Sequence, residues 1–222
     1  MSLLCNKGIH TWRCTECGEF KDEVSDELSS KHNFENTENS LSKTVRISSQ
    51  IWMKENLAVE YYRNGDIIPQ VQDAEEWADI KTGAWCYYDN KPENSKLYNW
   101  YAVNDKRGLA PEGWHIPTCM ELQVLKTSVN NNGNILKAIG QGVDNGTGTN
   151  VSGFSALLAG YRYNNGEFYS FTSNTYFWSS EEYDTVLAYY MGLYYFVSNI
   201  NMYNNSKNCG FSVRCIKDNE TV

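Results

Sequence analysis

The sequence has no surplus of basic residues, no long apolar run and no recognisable leader, and each absence narrows its function. There are 19 Lys and Arg against 27 Asp and Glu, for a formal net charge of -8. This balance argues against a nucleic-acid partner, because phosphate binding requires clustered cations. No apolar stretch approaches the roughly 18 residues of a membrane span. The N-terminus lacks the basic start, apolar stretch and cleavage site of a signal peptide.

These absences favour a phage virion or the cytoplasm over secretion. A cell-surface location stays open if a leader has been trimmed from the chain. The length of 222 residues fits one medium domain plus an appendage, and such a chain can bury a core of its own. Seven cysteines are an odd number, which disfavours a complete disulfide framework. Whether Cys86 and Cys119 pair is left open.

Three cysteines and a histidine cluster at the start of the chain in the pattern C-x4-H-x3-C-x2-C-G. The C-x2-C-G half is typical of a tight turn in which two thiolates point at one ion. Zinc in structural sites takes four nitrogen or sulfur ligands in a tetrahedron. Residues 1–20 are therefore predicted to form a knuckle that holds a structural zinc through Cys5, His10, Cys14 and Cys17. The alternative is a loose leader whose cysteines are incidental.

Residues 21–42 are acidic and almost free of apolar side chains. Such a composition cannot offset the entropy of ordering a packed core, so this stretch is predicted to be a linker.

The main domain, residues 43–218, is predicted to be α+β, with helices early and antiparallel strands late. Helices are expected after two capping signals, Asp73 with Glu76 and Thr118 with Glu121. Hydrophobic alternation and turn residues predict short strands. These strands are expected at residues 45–47, 51–53, 156–163, 167–171, 176–180, 187–197, 199–203 and 211–216.

Six ordered sequence blocks carry a family resemblance. They are WMKENL (52–57), LYNWYAV (97–103), PEGWHIPT (111–118), SGFSALLAGYR (152–162), YFWSS (176–180) and GFSVRCIKD (210–218). Together they resemble the FISUMP family, the Fibrobacter succinogenes major paralogous domain, over residues 43–218. The resemblance implies a C-type-lectin-like fold, in the variant shared with formylglycine-generating enzymes.

The resemblance also bears on a segment rich in Tyr, Asn and Ser at about residues 183–209. In some members of this fold, the segment between W-S-S and G-F-S-V-R is a variable region written by a diversity-generating retroelement, which randomises the adenines of a template. Tyrosine offers contact area at low entropic cost, and Asn and Ser offer adaptable hydrogen bonds, as in antibody paratopes. The predicted ligand-binding residues are Tyr183, Asp184, Tyr190, Tyr194, Tyr195, Phe196, Asn199, Asn201, Tyr203 and Asn205.

Strand alternation supports part of this set. Met191 and Leu193 are expected to face inward. Tyr190, Gly192 and Tyr194 are expected to face outward. Further along, Ile200 and Met202 are expected inside. The alternative is an amphipathic layer in which the tyrosine rings are buried and their hydroxyls remain wet.

No catalytic residue is predicted. Cys209 and Cys215 have a C-x5-C spacing, which departs from the C-x4-C of the copper-dependent oxidases that share this fold. His115 is expected to be a packed structural histidine. The closest approach to a lectin calcium motif begins with Lys91, and lysine cannot ligate calcium.

The sequence thus predicts a non-enzymatic recognition domain for a protein or glycan ligand, with a structural zinc, no nucleic-acid partner, no membrane span and a possible homo-oligomer. A structural cell-surface FISUMP module and an oxidase of the formylglycine type are the alternatives.

Overall fold

The computed structural model describes residues 43–218, together with the backbone of residues 2–6, 9–13 and 20–21. The chain divides into two compact units, Met1–Ser42 and Lys43–Val222. In the first unit, three antiparallel strands form one sheet in the order β1-β2-β3. Their bounds are β1 Ser2–Asn6, β2 Ile9–Arg13 and β3 Phe20–Lys21. The predicted linker lies almost wholly outside the described residues.

The second unit is α+β, mostly antiparallel sheet with a few short helices, as predicted. Its helices are α1 Ala74–Asp79, α2 Trp100–Val103 and α3 Cys119–Ser128, with 3-10 turns at Tyr88–Asn90, Gly133–Ile135 and Asp144–Gly146. Its strands are β4 Thr44–Ile47, β5 Gln50–Met53, β6 Trp85–Tyr87, β7 Lys96–Tyr98, β8 Trp114–His115, β9 Ala159–Arg162, β10 Phe168–Phe171, β11 Asn174–Glu182, β12 Leu187–Tyr194, β13 Asn201–Ser206 and β14 Ile216–Lys217. None of the helices that the structure describes is long and apolar enough to cross a lipid bilayer.

Both predicted helices begin at their predicted caps. The Thr118 hydroxyl accepts from the Glu121 N–H at 3.2 Å, and the Glu121 carboxylate accepts from the Thr118 N–H at 2.8 Å, which completes a capping box for α3. At α1, Asp73 accepts from the Glu76 N–H at 2.9 Å. These contacts satisfy amide groups that a helix leaves unpaired at its N-terminus.

The strands of the second unit form three sheets. The largest has the order β10-β9-β11-β12-β13, the second has the order β4-β5-β14-β8, and β6 pairs with β7. All paired strands are antiparallel except β9 and β11, which are parallel. Each face of the five-stranded sheet contacts a separate hydrophobic core. One core contains Trp178 and Phe211, and the other contains Trp52, Phe177 and Met191.

The strand predicted over residues 211–216 is largely wrong. Only Ile216–Lys217 forms a strand, and the preceding residues make isolated bridges to three different parts of the chain. One of these bridges pairs Gly210 with Arg162. A Cβ atom at Gly210 would lie 2.9 Å from the Trp77 ring and 3.1 Å from the Arg162 Cβ. The absence of a Cβ atom at this position is therefore required by close packing.

Candidate functional site

A row of tyrosine rings crosses all five strands of the largest sheet, and we call this side the tyrosine face. From β10 to β9, Tyr169 and Tyr161 have ring centroids 5.8 Å apart, and Tyr161 lies 5.0 Å from Tyr176 of β11. Tyr176 lies 4.9 Å from Tyr190 of β12, and Tyr190 lies 6.4 Å from Tyr203 of β13. Aromatic pairs at these spacings contribute packing energy beyond their buried area.

The middle of the tyrosine face is buried. Phe211 covers it, with its ring centroid 5.0 Å from both the Tyr176 and the Tyr190 rings. Tyr190 is only 7% exposed, so the prediction that its side chain faces outward to solvent is wrong. Burial also raises the pKa of the Tyr176 and Tyr190 hydroxyls, because it disfavours the charged phenolate. Alternation placed Tyr190 on the correct face of β12, but that face is covered by residues distant in sequence.

The β13 edge of this face is open. Tyr203 is 56% exposed, and Asn201 and Asn205 flank it on the same side of the strand, each half-buried. Tyr194 of β12 is also half-buried. Within the described part of the chain β13 pairs only with β12, so it is an edge strand. Its predicted residues are therefore accessible along the rim of the sheet.

The loop between β11 and β12 carries Tyr183 and Asp184. The Tyr183 side chain is 53% exposed, and its ring lies 5.3 Å from the Tyr189 ring. The Asp184 carboxylate accepts from the N–H groups of Val186 and Leu187, both at 2.7 Å. These hydrogen bonds lower the pKa of Asp184 because they stabilise its charged form. Asp184 thus holds the turn that presents Tyr183.

The loop between β12 and β13 carries Tyr195, Phe196 and Asn199, all exposed. The rings of Tyr195 and Phe196 are in contact, with centroids 5.1 Å apart. Beneath them, the buried Lys137 ammonium donates to the carbonyl oxygens of Tyr194 at 2.7 Å and Val197 at 3.1 Å. Burial lowers the pKa of Lys137 to about 8. The loop is therefore fixed from below while its aromatic side chains face solvent.

We call the β13 edge, together with the loops at its two ends, the β13 strip. The loop that carries Phe196 leads into β13, and the far end of β13 returns to the other loop, where the Lys207 N–H donates to the Val186 carbonyl at 2.9 Å. At about 3.3 Å per residue, the six residues of β13 span about 17 Å. Of the predicted ligand-binding residues, the structure brings nine to this strip and buries Tyr190.

Exposed aromatics at the opposite edge of the sheet were missed by sequence reasoning. Tyr169 and Phe171 of β10 and Tyr163 beside it are exposed. Phe171 stacks on Tyr88 with ring centroids 4.8 Å apart. The signal was present in the sequence, because aromatic residues alternate at positions 161 and 163 and again at 169 and 171.

The thiols considered for catalysis are buried. Cys209 and Cys215 are free and fully buried, and burial raises the pKa of each to about 12. A protonated, inaccessible thiol is a poor nucleophile and a poor metal ligand. Cys86 and Cys119, whose pairing the sequence left open, are also free.

His115, expected to be a packed structural residue, is half-exposed and lies between two carboxylates. Its Nδ1 is 2.6 Å from Asp218 Oδ1, and its Nε2 is 2.8 Å from Glu121 Oε1. Burial opposes the charged imidazolium, but the two carboxylates outweigh it and raise the pKa of His115. Asp218 was not predicted as a partner, because it lies 103 residues away in sequence.

The predicted zinc ligands are only partly described. The β1–β2 register places Cys5 directly opposite His10, whereas Cys14 and Cys17 lie outside the described residues. Among the residues that the structure describes, no group of three or more His, Cys, Asp or Glu residues could hold a metal ion.

Comparison with protein-family models gives a match over residues 45–217 to the family described as the Fibrobacter succinogenes major domain. The match covers most of the chain and includes all six sequence blocks apart from the last residue of the final one. No curated protein and no solved structure matches the chain.

Proposed function

The chain belongs to the Fibrobacter succinogenes major domain family, and from this premise we propose that it is a non-enzymatic recognition domain on a C-type-lectin-like scaffold. The β13 strip is its binding surface, and the ligand is a protein or a glycan. One observation carries the proposal. Tyr203, Phe196 and Tyr183 are each more than half exposed, although large aromatic side chains usually gain free energy by burial.

The support beneath the strip strengthens the proposal. A binding surface gains affinity when it is ordered before the ligand arrives, since less entropy is lost on binding. Lys137 fixes the Phe196 loop and Asp184 fixes the Tyr183 loop. Tyrosine supplies contact area with few rotatable bonds, and the asparagines of β13 supply donors and acceptors. The strip combines both in a fixed geometry.

Diversification by a retroelement is part of the proposal. The Tyr, Asn and Ser content of residues 183–209, between the YFWSS and GFSVR blocks, supports it. The test is to sequence the DNA that flanks the gene. We expect a reverse-transcriptase gene and a near-identical template copy with adenines at the variable codons. A flank without either would refute diversification and leave recognition to be tested by binding.

Recognition itself is tested on glycan and peptide arrays. The triple variant Tyr195→Ala, Phe196→Ala and Tyr203→Ala is expected to lose the bound features of the wild-type protein while keeping its melting temperature within a few degrees. The matched control changes Tyr163, Tyr169 and Phe171 to Ala, three exposed aromatics at the opposite edge. If the control loses binding and the β13 variant keeps it, the strip is not the site.

The family membership is equally compatible with a structural surface module. Such a module would show no specific array binding by the wild-type protein or by either variant. An oxidase of the formylglycine type would need a reactive cysteine pair. The burial and raised pKa of Cys209 and Cys215 support the non-enzymatic proposal instead. Tight Cu(I) binding that requires both thiols would favour the oxidase.

We also propose that residues 1–20 hold one structural zinc through Cys5, His10, Cys14 and Cys17. The pairing of Cys5 with His10 across β1 and β2 supports the first half of this ligand set. Because metal binding and folding are coupled in so small a unit, a chelator is expected to unfold this unit alone. Elemental analysis of protein never exposed to chelator is the test, and zinc well below one equivalent would refute the proposal.

A further inference from the structure

The second unit contains a cleft that shares no lining residue with the β13 strip. Its volume is about 690 Å³, which falls within the range of roughly 300–1,000 Å³ that is usual for small-molecule sites. Leu57, Leu157 and Tyr87 give it apolar and aromatic walls, while Asn56 and Ser155 add polar groups. The cleft therefore combines apolar contact area with polar groups.

The buried Arg214 guanidinium lines this cleft without a charged hydrogen-bond partner. Its Nε and Nη2 donate to Asn56 Oδ1 at 3.1 and 2.6 Å, and its Nη1 donates to the carbonyls of Met53 at 3.1 Å and Phe154 at 2.6 Å. All these acceptors are neutral. A guanidinium has five N–H donors, so these four bonds leave one Nη2 hydrogen for another acceptor. Because these acceptors carry no charge, they do not neutralise the buried guanidinium, and an anion is attracted to it.

Lys96 brings a second buried cation to the same cleft. Its ammonium lies 2.6 Å from Glu60 Oε1 and 3.9 Å from the centroid of the Trp85 ring. The Glu60 side chain is 49% exposed, so solvent screens the attraction between its carboxylate and the Lys96 ammonium.

The charges on the lining residues leave a positive excess. Lys54, Lys96 and Arg214 oppose Glu55 and Glu60, three against two, for an excess of one positive charge. The chain as a whole has a net charge of -8. The cleft is therefore a local exception in an acidic protein.

We propose that this cleft binds a small ligand that carries one carboxylate on a compact uncharged body. The carboxylate accepts from the free Arg214 N–H and from Lys96, and the body packs against Leu57, Leu157 and Tyr87. A guanidinium and a carboxylate form short, charge-assisted hydrogen bonds. The single excess charge favours a monoanion over a phosphate dianion. The carboxylate belongs either to an acidic sugar or to an acylated amino acid at a chain terminus.

Isothermal titration calorimetry with two matched pairs of probes separates these sources. One pair is D-glucuronate with D-glucose, and the other is N-acetyl-L-alanine with its amide. We expect the carboxylate of one pair to bind at least about tenfold more tightly than its neutral partner, and that pair identifies the source. The preference should weaken as the salt concentration rises. If neither carboxylate binds more tightly than its neutral partner, the proposal is wrong.

Lys96→Met is the decisive variant. It removes a cation from the cleft and leaves Glu60 at the surface, so the fold is expected to survive. Affinity for the carboxylate should fall about tenfold, with the neutral probe unaffected. Lys91→Met is the control, because Lys91 is an exposed cation paired with Asp89 at 2.6 Å and does not line the cleft. An affinity for the carboxylate that is unchanged in Lys96→Met would overturn the proposal.

Discussion

Strands β12 and β13 lie side by side in the largest sheet, and each carries a tyrosine on the same face, but the environments of these two tyrosines are opposite. Tyr190 and Tyr203 are direct partners in the antiparallel register and lie on the same face of the sheet. Tyr190 is 7% exposed and Tyr203 is 56% exposed. The difference arises because β12 lies between two strands and beneath Phe211, whereas β13 is an edge. A tyrosine-rich segment is therefore not a binding surface as a whole, and its position in the sheet decides which rings a ligand can reach.

The largest expected loss of stability comes from a change at the centre of the tyrosine face, which Phe211 covers. Trp178 is fully buried, stacks on Phe211 with ring centroids 4.2 Å apart, and donates its indole N–H to the Tyr98 carbonyl at 2.9 Å. Trp178→Ala is expected to lower the free energy of unfolding by about 4 kcal/mol. Urea denaturation of the second unit measures this loss. A loss below about 1 kcal/mol would mean that the centre of the tyrosine face is not a tightly packed core.

The comparison between the two tyrosines is tested directly by a matched pair of variants. Tyr190→Ala should cost about 3 kcal/mol, because it opens a cavity next to Phe211. Tyr203→Ala should stay within about 0.5 kcal/mol, as at other surface positions. Both are measured by the same denaturation experiment. Equal costs for the two variants would contradict the assignment of Tyr203 to the surface.

A third variant tests what fixes the exposed loop. Lys137→Met leaves the carbonyls of Tyr194 and Val197 without their buried donor and should cost about 2 kcal/mol. Amide hydrogen exchange should rise in the loop between β12 and β13 and stay unchanged in α3. Uniform exchange across the unit would show that Lys137 supports the fold generally and does not act on this loop.

The smallest expected change in stability comes from replacing His115, whose side chain is half-exposed. Its pKa is raised above the ordinary 6.5, so the ion pairs contribute fully below that pH and are lost as the pH rises through the folded-state pKa. His115→Gln should therefore destabilise at pH 6 by about 0.5 kcal/mol, a modest amount because solvent screens the pairs. The difference from the wild type should shrink by pH 8. A difference that grows with pH would mean that His115 is neutral in the folded protein.

The features predicted correctly from the sequence are those set by neighbouring residues. Thr118 and Glu121 are three residues apart, and their capping box marked the start of α3. Alternation likewise placed Met191 and Ile200 inside, where both are buried. Errors arose where distant segments meet. Nothing near Tyr190 in the sequence announces Phe211.

Partners distant in sequence escaped prediction for the same reason. Asp218 meets His115 only because β14 pairs with β8. Arg214 was visible within the GFSVR block, but its cleft is assembled with Lys96 and Ser155 from remote parts of the chain.

The two hydrogen bonds from the Lys137 ammonium, which we call a clamp, have a consequence for evolution. The clamp acts on the backbone alone. It holds the chain by the carbonyl oxygens of residues 194 and 197, and every amino acid has that oxygen. Side chains along this loop can therefore be exchanged without removing the contacts that keep its path. A clamp that does not depend on side-chain identity allows the residues of this loop to vary while the path of its backbone is kept.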